Sequence, residues 1–197
     1  MKESIGILKD EHRSISAVLT GLKHLAEMAQ DATLRPDFQV LRSMLRYIDE
    51  YPERLHHPKE DEPLFALLAR RSPEARRLVD ELRAEHARGA QLIREVERRL
   101  MFLEEGWPRG AAEFLATVEA YADFHWKHMR KEETQLLPLA ERDLAAEDWL
   151  AIDAAFARNR DPLAGIAERD FRQLFSRIAT MAPAPVGLGD QWKKTSS

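Results

Sequence analysis

The sequence has 197 residues, 32% of them charged and 44% hydrophobic, and its formal net charge is -4 with acids and bases interleaved, which excludes a basic face for nucleic acid. No apolar run approaches the roughly 20 residues of a membrane span, and the N-terminus lacks the apolar stretch of a signal peptide. Cysteine is absent, which excludes disulfides and thiol redox chemistry. From the length, charge and hydropathy together we expect one domain, a cytoplasmic location, and no nucleic-acid or membrane partner.

Four long segments carry apolar residues at the 3.6-residue spacing of amphipathic helices. They cover about residues 4–30, 37–70, 72–103 and 111–141, with short breakers between them. Pro52, Pro58 and Pro63 lie within the second segment and predict an irregular helix there. Ser72 and Pro73 predict the N-cap and the first residue of the third helix.

Two shorter helices are predicted after the fourth, at about 146–157 and 162–181, followed by a flexible tail. The predicted fold is therefore all-α: an antiparallel up-down four-helix bundle with one or two extra C-terminal helices. We assign the bundle to residues 1–145, a helical extension to 146–182 and the tail to 183–197. The extension offers apolar surface either for capping the bundle or for self-association as a homodimer.

Six of the seven histidines fall on or beside apolar helical faces, whereas His24 lies about 120° away from the face that carries His12. The six are His12 in the first helix, His56 and His57 in the second, His86 in the third, and His125 and His128 in the fourth. One such histidine is usually a hydrogen-bonded core residue. Burying several without partners would cost on the order of several kcal/mol each, a cost that a bound metal removes.

Two carboxylates strengthen the prediction of a metal centre. Glu60 and Glu132 each lie four residues after a histidine, His56 and His128, so each pair projects from one helical face. One such pair is a weak signal, but two pairs together with inward histidines on the other two helices indicate a centre inside the bundle. Imidazole and carboxylate without thiolate are typical of non-haem iron or manganese.

Three residues are ambiguous. Asp61 lies four residues after His57 and competes with Glu60, which we prefer because it lies closer to the core-facing stripe. His57 is either a ligand beside His56 or points elsewhere, and His125 lies one turn before His128, within reach of the same centre.

These motifs resemble the hemerythrin-like, HHE cation-binding family over about residues 5–142. The resemblance is carried by His12, HHPKEDEPLF at 56–65, Glu85-His86, and HMRKEETQLLP at 128–138. It implies a four-helix bundle with a carboxylate-bridged, non-haem di-iron centre. The implied metal ligands are His12, His56, Glu60, His86, His128 and Glu132, with His57 and His125 as extra ligands or neighbouring groups.

One departure from the family pattern bears on function. Oxygen-carrying hemerythrins have two histidines a turn apart on the third helix, where this chain has Leu82 and Ala90 around His86. The resemblance therefore implies reaction with O2, peroxide or NO, in oxygen, redox or iron handling, and counts against simple reversible oxygen carriage. Any enzymatic activity would be reduction of peroxide or O2 at the di-iron centre.

Two alternatives differ in class. A ferritin-like di-iron oxidase would require Glu-x-x-His on two helices, and only Glu53-x-x-His56 is present. A metal-free helical interaction module, in which the histidines are incidental, would bind no metal.

Overall fold

The computed structural model describes residues 2–158, 180–184, 186–189 and 191–192. Across these residues the chain is helical apart from turns, short connecting segments and isolated bridge positions such as Pro183 with Gly189, which confirms the all-helical prediction. The five helices of this part are α1 (Glu3–Met28), α2 (38–71), α3 (Arg76–Gly106), α4 (111–143) and α5 (Ala146–Arg158).

The helix ends follow local side-chain chemistry. Asp37 caps α2, because its Oδ1 accepts hydrogen bonds from the backbone N–H groups of Gln39 and Val40 at 2.9 and 3.2 Å. The predicted start of the third helix at Pro73 was wrong. The Ser72 hydroxyl accepts a 3.3 Å hydrogen bond from the N–H of Ala75, so it closes a turn over residues 72–75. Helix α3 begins after this turn, at Arg76.

Three π-helical segments interrupt α2 and α4, at Asp49–His56, Glu60–Phe65 and Glu132–Leu136. Pro52 and Pro63 lie inside the first two segments, and Pro138 follows the third. Because proline has no N–H, it cannot donate the usual bond to the fourth preceding carbonyl, which favours a wider turn. The predicted irregularity of the second helix is confirmed, and π-helix also occurs in the fourth.

The core consists of two hydrophobic clusters with the buried histidines between them. One cluster joins all four long helices through residues such as Leu22, Leu41, Val96 and Phe114. The other lies toward the opposite end of the helices and includes Leu8, Phe65, Val79 and Leu136. Fully burying one such side chain stabilises the fold by about 1.5–3 kcal/mol. The two apolar clusters therefore hold a polar layer in place.

The predicted helix at 146–157 is present as α5, and it packs on the second cluster through Trp149, Ile152 and Phe156. The backbone N–H and the hydroxyl of Ser4 both donate to Asp153, at 2.9 and 2.6 Å, which ties α5 to the first turn of α1.

The remaining C-terminal predictions are only partly covered. The predicted helix at 162–181 lies outside the described residues except at its last two positions. Within the predicted tail at 183–197, the described Trp192 is buried in the first cluster. The three domain boundaries and the homodimer stay predictions.

Among the described residues, none of the helices combines the length and the apolar character that crossing a bilayer requires. The cytoplasmic location stays a prediction.

Candidate metal centre

Eight potential ligand side chains lie in the polar layer, and each residue is at most 6% exposed. They are His12, His56, His57, Glu60, His86, His125, His128 and Glu132. By contrast, the side chain of His24 is 38% exposed at the surface. The prediction that six histidines face the core and the seventh does not is confirmed.

One group of four side chains is centred on α1 and α2: His12, His56, Glu60 and Glu132. Nε2 of His12 lies 3.3 Å from a Glu132 oxygen and 3.7 Å from Oε1 of Glu60. Nε2 of His56 lies 3.4 Å from the same Glu60 oxygen. We call this group position 1.

A second group is centred on α3 and α4 and contains His86 and His128 with the same two glutamates. Nε2 of His86 lies 3.5 Å from Oε2 of Glu60 and 3.6 Å from Oε1 of Glu132. Nε2 of His128 lies 3.2 Å from that Glu132 oxygen. We call this group position 2. Each glutamate directs one oxygen toward each position, which is the arrangement of a bridging carboxylate.

The donor atoms fit metal ions. Both carboxylate oxygens of Glu60 and of Glu132, and Nε2 of His12 and His56, are buried without a hydrogen-bond partner. Buried polar atoms are rarely left unpaired, because desolvating them costs free energy. Ligand atoms about 2 Å from a shared ion lie about 3–3.5 Å from one another, close to the spacings seen here. A cation at each position would satisfy all of these atoms.

Outer carboxylates hold the position 1 histidines. Nδ1 of His56 lies 2.8 Å from Oε2 of Glu11, and Nδ1 of His12 lies 2.8 Å from Oε1 of Glu133. An imidazole that donates from Nδ1 keeps the lone pair of Nε2 free for a metal and becomes more basic.

Carboxylates also lie against the position 2 histidines. Nδ1 of His128 forms a 2.9 Å hydrogen bond with Oε2 of Glu85, whereas Nδ1 of His86 lies 3.2 Å from Oδ1 of Asp61 as an ion-pair contact without hydrogen-bond geometry. The sequence left Asp61 and Glu60 as competing candidates for a metal ligand. In the structure Asp61 lies beside Nδ1 of His86, which points away from the two positions, while Glu60 faces both positions.

The four outer contacts form a closed ring around the bundle. Each outer carboxylate is the sequence neighbour of one predicted ligand and contacts a histidine on a different helix. Glu11 of α1 contacts α2, Asp61 of α2 contacts α3, Glu85 of α3 contacts α4, and Glu133 of α4 contacts α1. Orientation of the histidines on each helix thus depends on the docking of another helix.

Cations neutralise three of these carboxylates. The Nζ of Lys59 donates to Glu11 at 2.6 Å, and Lys131 is paired with Glu85. Nε of Arg83 lies 3.7 Å from Oδ1 of Asp61, and the same guanidinium also donates to the backbone carbonyl of Asp61 at 2.9 Å. Charge-assisted hydrogen bonds of this kind are stronger than neutral ones and fix the carboxylates in place.

Comparison with known proteins agrees with this geometry. The model of the hemerythrin HHE cation binding domain matches residues 3–140, more than two thirds of the chain. The chain belongs to the hemerythrin HHE family. A search of curated proteins finds no significant match. Position 1 and position 2 of this hemerythrin HHE domain both lie within the matched residues, whereas α5 lies beyond them.

The pKa values in the HHE domain reflect the crowding of carboxylates in this layer. Burial opposes protonation of His12, but the negative charges of Glu132 and Glu60, 3.3 and 3.7 Å from its Nε2, outweigh burial and raise its pKa to about 10. The pKa of His128 is likewise raised to about 9, against burial, by Glu132 and Glu85. Below these pKa values His12 and His128 are protonated in metal-free protein, so metal binding displaces protons.

His57 and His125 differ from the other four histidines. Burial and the neighbouring histidines lower the pKa of His57 well below its ordinary value and that of His125 to about 3, so both rings are neutral. His57 forms a third group with His86 and His128, which places it beside position 2. His125 belongs to none of the ligand groups found among the described residues. Its role as a ligand stays a prediction, as does that of the other seven side chains.

A buried carboxylate, Glu53, lies near both of these rings. The sequence had not identified it as a residue that supports these histidines. Its oxygens lie 3.3 Å from Nδ1 of His57 and 3.7 Å from Nε2 of His125, and it accepts a 3.3 Å hydrogen bond from the Tyr121 hydroxyl. Gly89 leaves the space for this contact, because a Cβ there would lie 3.1 Å from Glu53. Burial raises the pKa of Glu53 to about 7.

Sequence reasoning gave no supporting role to Glu11, Glu53, Glu85 and Glu133, and it considered Asp61 only as a competitor of Glu60 for the ligand role. A signal for four of these five carboxylates was available, since each adjoins a predicted ligand in the sequence. Glu53 precedes His57 by four residues, the spacing that identified Glu60 and Glu132.

Proposed function

We propose that this chain is a non-haem di-iron protein of the hemerythrin HHE family that binds or reacts with O2, peroxide or NO. The observation that carries the proposal is the sharing of Glu60 and Glu132 between two pairs of histidines. Two carboxylates that each reach both positions can hold two cations close together, because their negative charge offsets the repulsion between the ions.

Iron is the proposed metal because the donor set contains only imidazole nitrogen and carboxylate oxygen. Such ligands suit non-haem iron, which supplies redox chemistry toward small oxygen and nitrogen species, while the absence of cysteine removes thiolate sites. The proposed topology is an antiparallel up-down bundle of α1 to α4, in which ligands from all four helices meet in one layer.

The two proposed iron positions are unequal. Position 1 has two histidines and two glutamates, whereas position 2 has His86 and His128, the same glutamates, and His57 beside them. Non-haem iron accepts more ligands than position 1 supplies, so coordination sites remain for a small exogenous molecule. We propose that this molecule binds at position 1.

Anaerobic reconstitution with ferrous iron tests the proposal. We expect about two irons per chain in the wild type and near-ultraviolet charge-transfer bands after exposure to air. Because each position has its own histidines, H12A and H86A should each retain about one iron. A lasting oxygenated spectrum would indicate binding, and its decay to the ferric spectrum would indicate reduction.

The surface histidine provides the matched control. H24A should bind two irons, because His24 lies outside the layer. Failure of the wild type to bind iron, together with unchanged stability in H12A and H86A, would overturn the proposal and leave the metal-free helical module. Loss of both irons in each single variant would overturn the assignment of two separable positions.

A further inference from the structure

Lys59 is a buried lysine that supports a metal ligand without touching the metal positions. It is 8% exposed, and its Nζ donates to Oε1 of Glu11 at 2.6 Å. The other oxygen of Glu11 lies 2.8 Å from Nδ1 of His56. A continuous chain of charge-assisted contacts therefore runs from Lys59 to a proposed ligand of position 1.

Lys59 also lies near an aromatic ring from α5. Its Nζ lies 5.6 Å from the centroid of the Phe156 ring, within the range of a cation–π contact. Phe156 is 1% exposed and belongs to the second hydrophobic cluster. A second ring, that of Tyr51, lies 6.0 Å from the same Nζ, so aromatic rings from α2 and α5 both lie beside the ammonium group.

Helix α5 is held at this place by contacts that have no connection with the metal layer. Asp153 accepts two hydrogen bonds from Ser4, and Arg71 donates to Asp148 at 2.8 Å. Since α5 lies beyond residues 3–140, it is an addition outside the part of the chain that matches the family model.

We propose that α5 is a supporting element of position 1: Phe156 shields the Lys59–Glu11 ion pair, which orients His56 and thereby strengthens metal binding at that position. Phe156 and Lys59 are positioning residues, because neither reaches the metal. The inference rests on the proposed dinuclear site and deepens it by making the affinity of one position depend on a helix outside the bundle.

The physical reason is the local dielectric. Hydrogen bonds between charged groups weaken when water reaches them, because the dielectric constant rises and water competes for both partners. Without the Phe156 ring, Lys59 and Glu11 would be solvated, and the His56 ring would be held less firmly. Loss of a partner that orients a metal-binding histidine typically lowers metal affinity about 10–100-fold.

The test measures release of iron to an excess of a strong chelator from the full-length, iron-loaded protein. In the wild type, two irons leave the chain with their own rates. We expect F156A and K59M to speed the release of one iron about 10-fold or more and to leave the other unchanged. F156L and K59R should restore much of the wild-type rate, since they keep bulk and charge respectively.

Two single variants, each retaining one position, show which of the two irons is released faster. In H86A, which keeps only position 1, K59M should accelerate release of the remaining iron. In H12A, which keeps only position 2, K59M should have no effect. L150A is the matched control on α5, because Leu150 is 72% exposed and points away from the core.

The outcomes separate this inference from the proposed function. Fewer than two irons in the wild type would contradict the dinuclear proposal itself. Two irons in the wild type with equal acceleration of both, or of neither, in K59M would overturn only the role of Lys59 and α5. K59M keeps most of the volume of the lysine stem, so the test stands even if F156A fails to fold.

Discussion

Glu11 is the sequence neighbour of His12, yet its carboxylate lies 2.8 Å from Nδ1 of His56 on the neighbouring helix. Asp61, Glu85 and Glu133 follow the same pattern, since each adjoins one proposed ligand in the sequence and contacts a histidine on another helix. Each helix therefore supplies a ligand and also orients a ligand on another helix. Correct docking of the helices and correct orientation of the imidazoles are consequently one event. This coupling favours a preformed centre over one assembled by the metal alone.

The ring of outer carboxylates predicts position-specific effects. E11Q should weaken metal binding at position 1 and E85Q at position 2, each about 10-fold or more, because glutamine is a poorer acceptor for the Nδ1 proton. Competition for Co²⁺ with a coloured chelator would measure the two affinities.

The surface variant E105Q is the control, since Glu105 is exposed at the end of α3. Equal weakening of both positions by E11Q would show that the ring acts as one unit. Unchanged affinities in both variants would show that the outer carboxylates do not support the ligands.

A second prediction concerns pH. In metal-free protein, the raised pKa values of His12 and His128, about 10 and about 9, stabilise the fold because the folded state holds protons more tightly than the unfolded state. This contribution is complete below the ordinary histidine pKa of about 6.5 and is lost as pH rises through 9 to 10. The free energy of unfolding of metal-free protein, measured in urea, should therefore fall between these limits.

Metal affinity should change in the opposite direction, rising with pH over the same interval as fewer protons must be displaced. The variant E132Q removes one charge that raises the pKa of both histidines, so its stability should depend less on pH. A wild-type stability that stays flat over this interval would contradict the protonated state of the histidines.

Glu53 provides a third prediction. If its carboxylate orients His57 toward position 2, E53Q should keep two metal ions but change the visible spectrum of the Co²⁺ protein, which responds to ligand number and geometry. Y121F should have a smaller effect, because it removes only the hydroxyl that donates to Glu53. H57A sets the reference, and a wild-type spectrum in H57A would show that His57 is not a ligand.

Much of the helical pattern and the inner layer could be predicted from sequence, because both depend on local spacing. The angular position of His12 among Ile15 and Leu8 places it in the core without knowledge of any other helix. The partners of Glu11 and Asp61 could not be predicted in this way. They depend on the rotation of one helix against another and on π-helical turns that shift the register.

Helix ends were predicted less well than helix faces. Ser72 and Pro73 carry an N-terminal signature, but the Ser72 side chain closes a turn before α3 begins. The role of α5 was also open in the sequence, since apolar residues on a helix do not identify the surface that they cover.

The turn before α4 gives a last prediction, about stability alone. Gly110 precedes α4 with φ of +88°, a left-handed conformation that costs residues with a Cβ about 1–2 kcal/mol. G110A should lower the free energy of unfolding by about this amount, and G110N should lower it less, because asparagine tolerates the left-handed region better.

G6A is the matched control with the opposite sign. Gly6 is exposed within α1 and a Cβ there meets nothing within 4 Å, so alanine should stabilise the helix by up to about 1 kcal/mol. Urea denaturation of the metal-free proteins would measure all three, and iron binding should be unchanged in each. A stability of G110A equal to the wild type would mean that the turn relaxes to a conformation with negative φ.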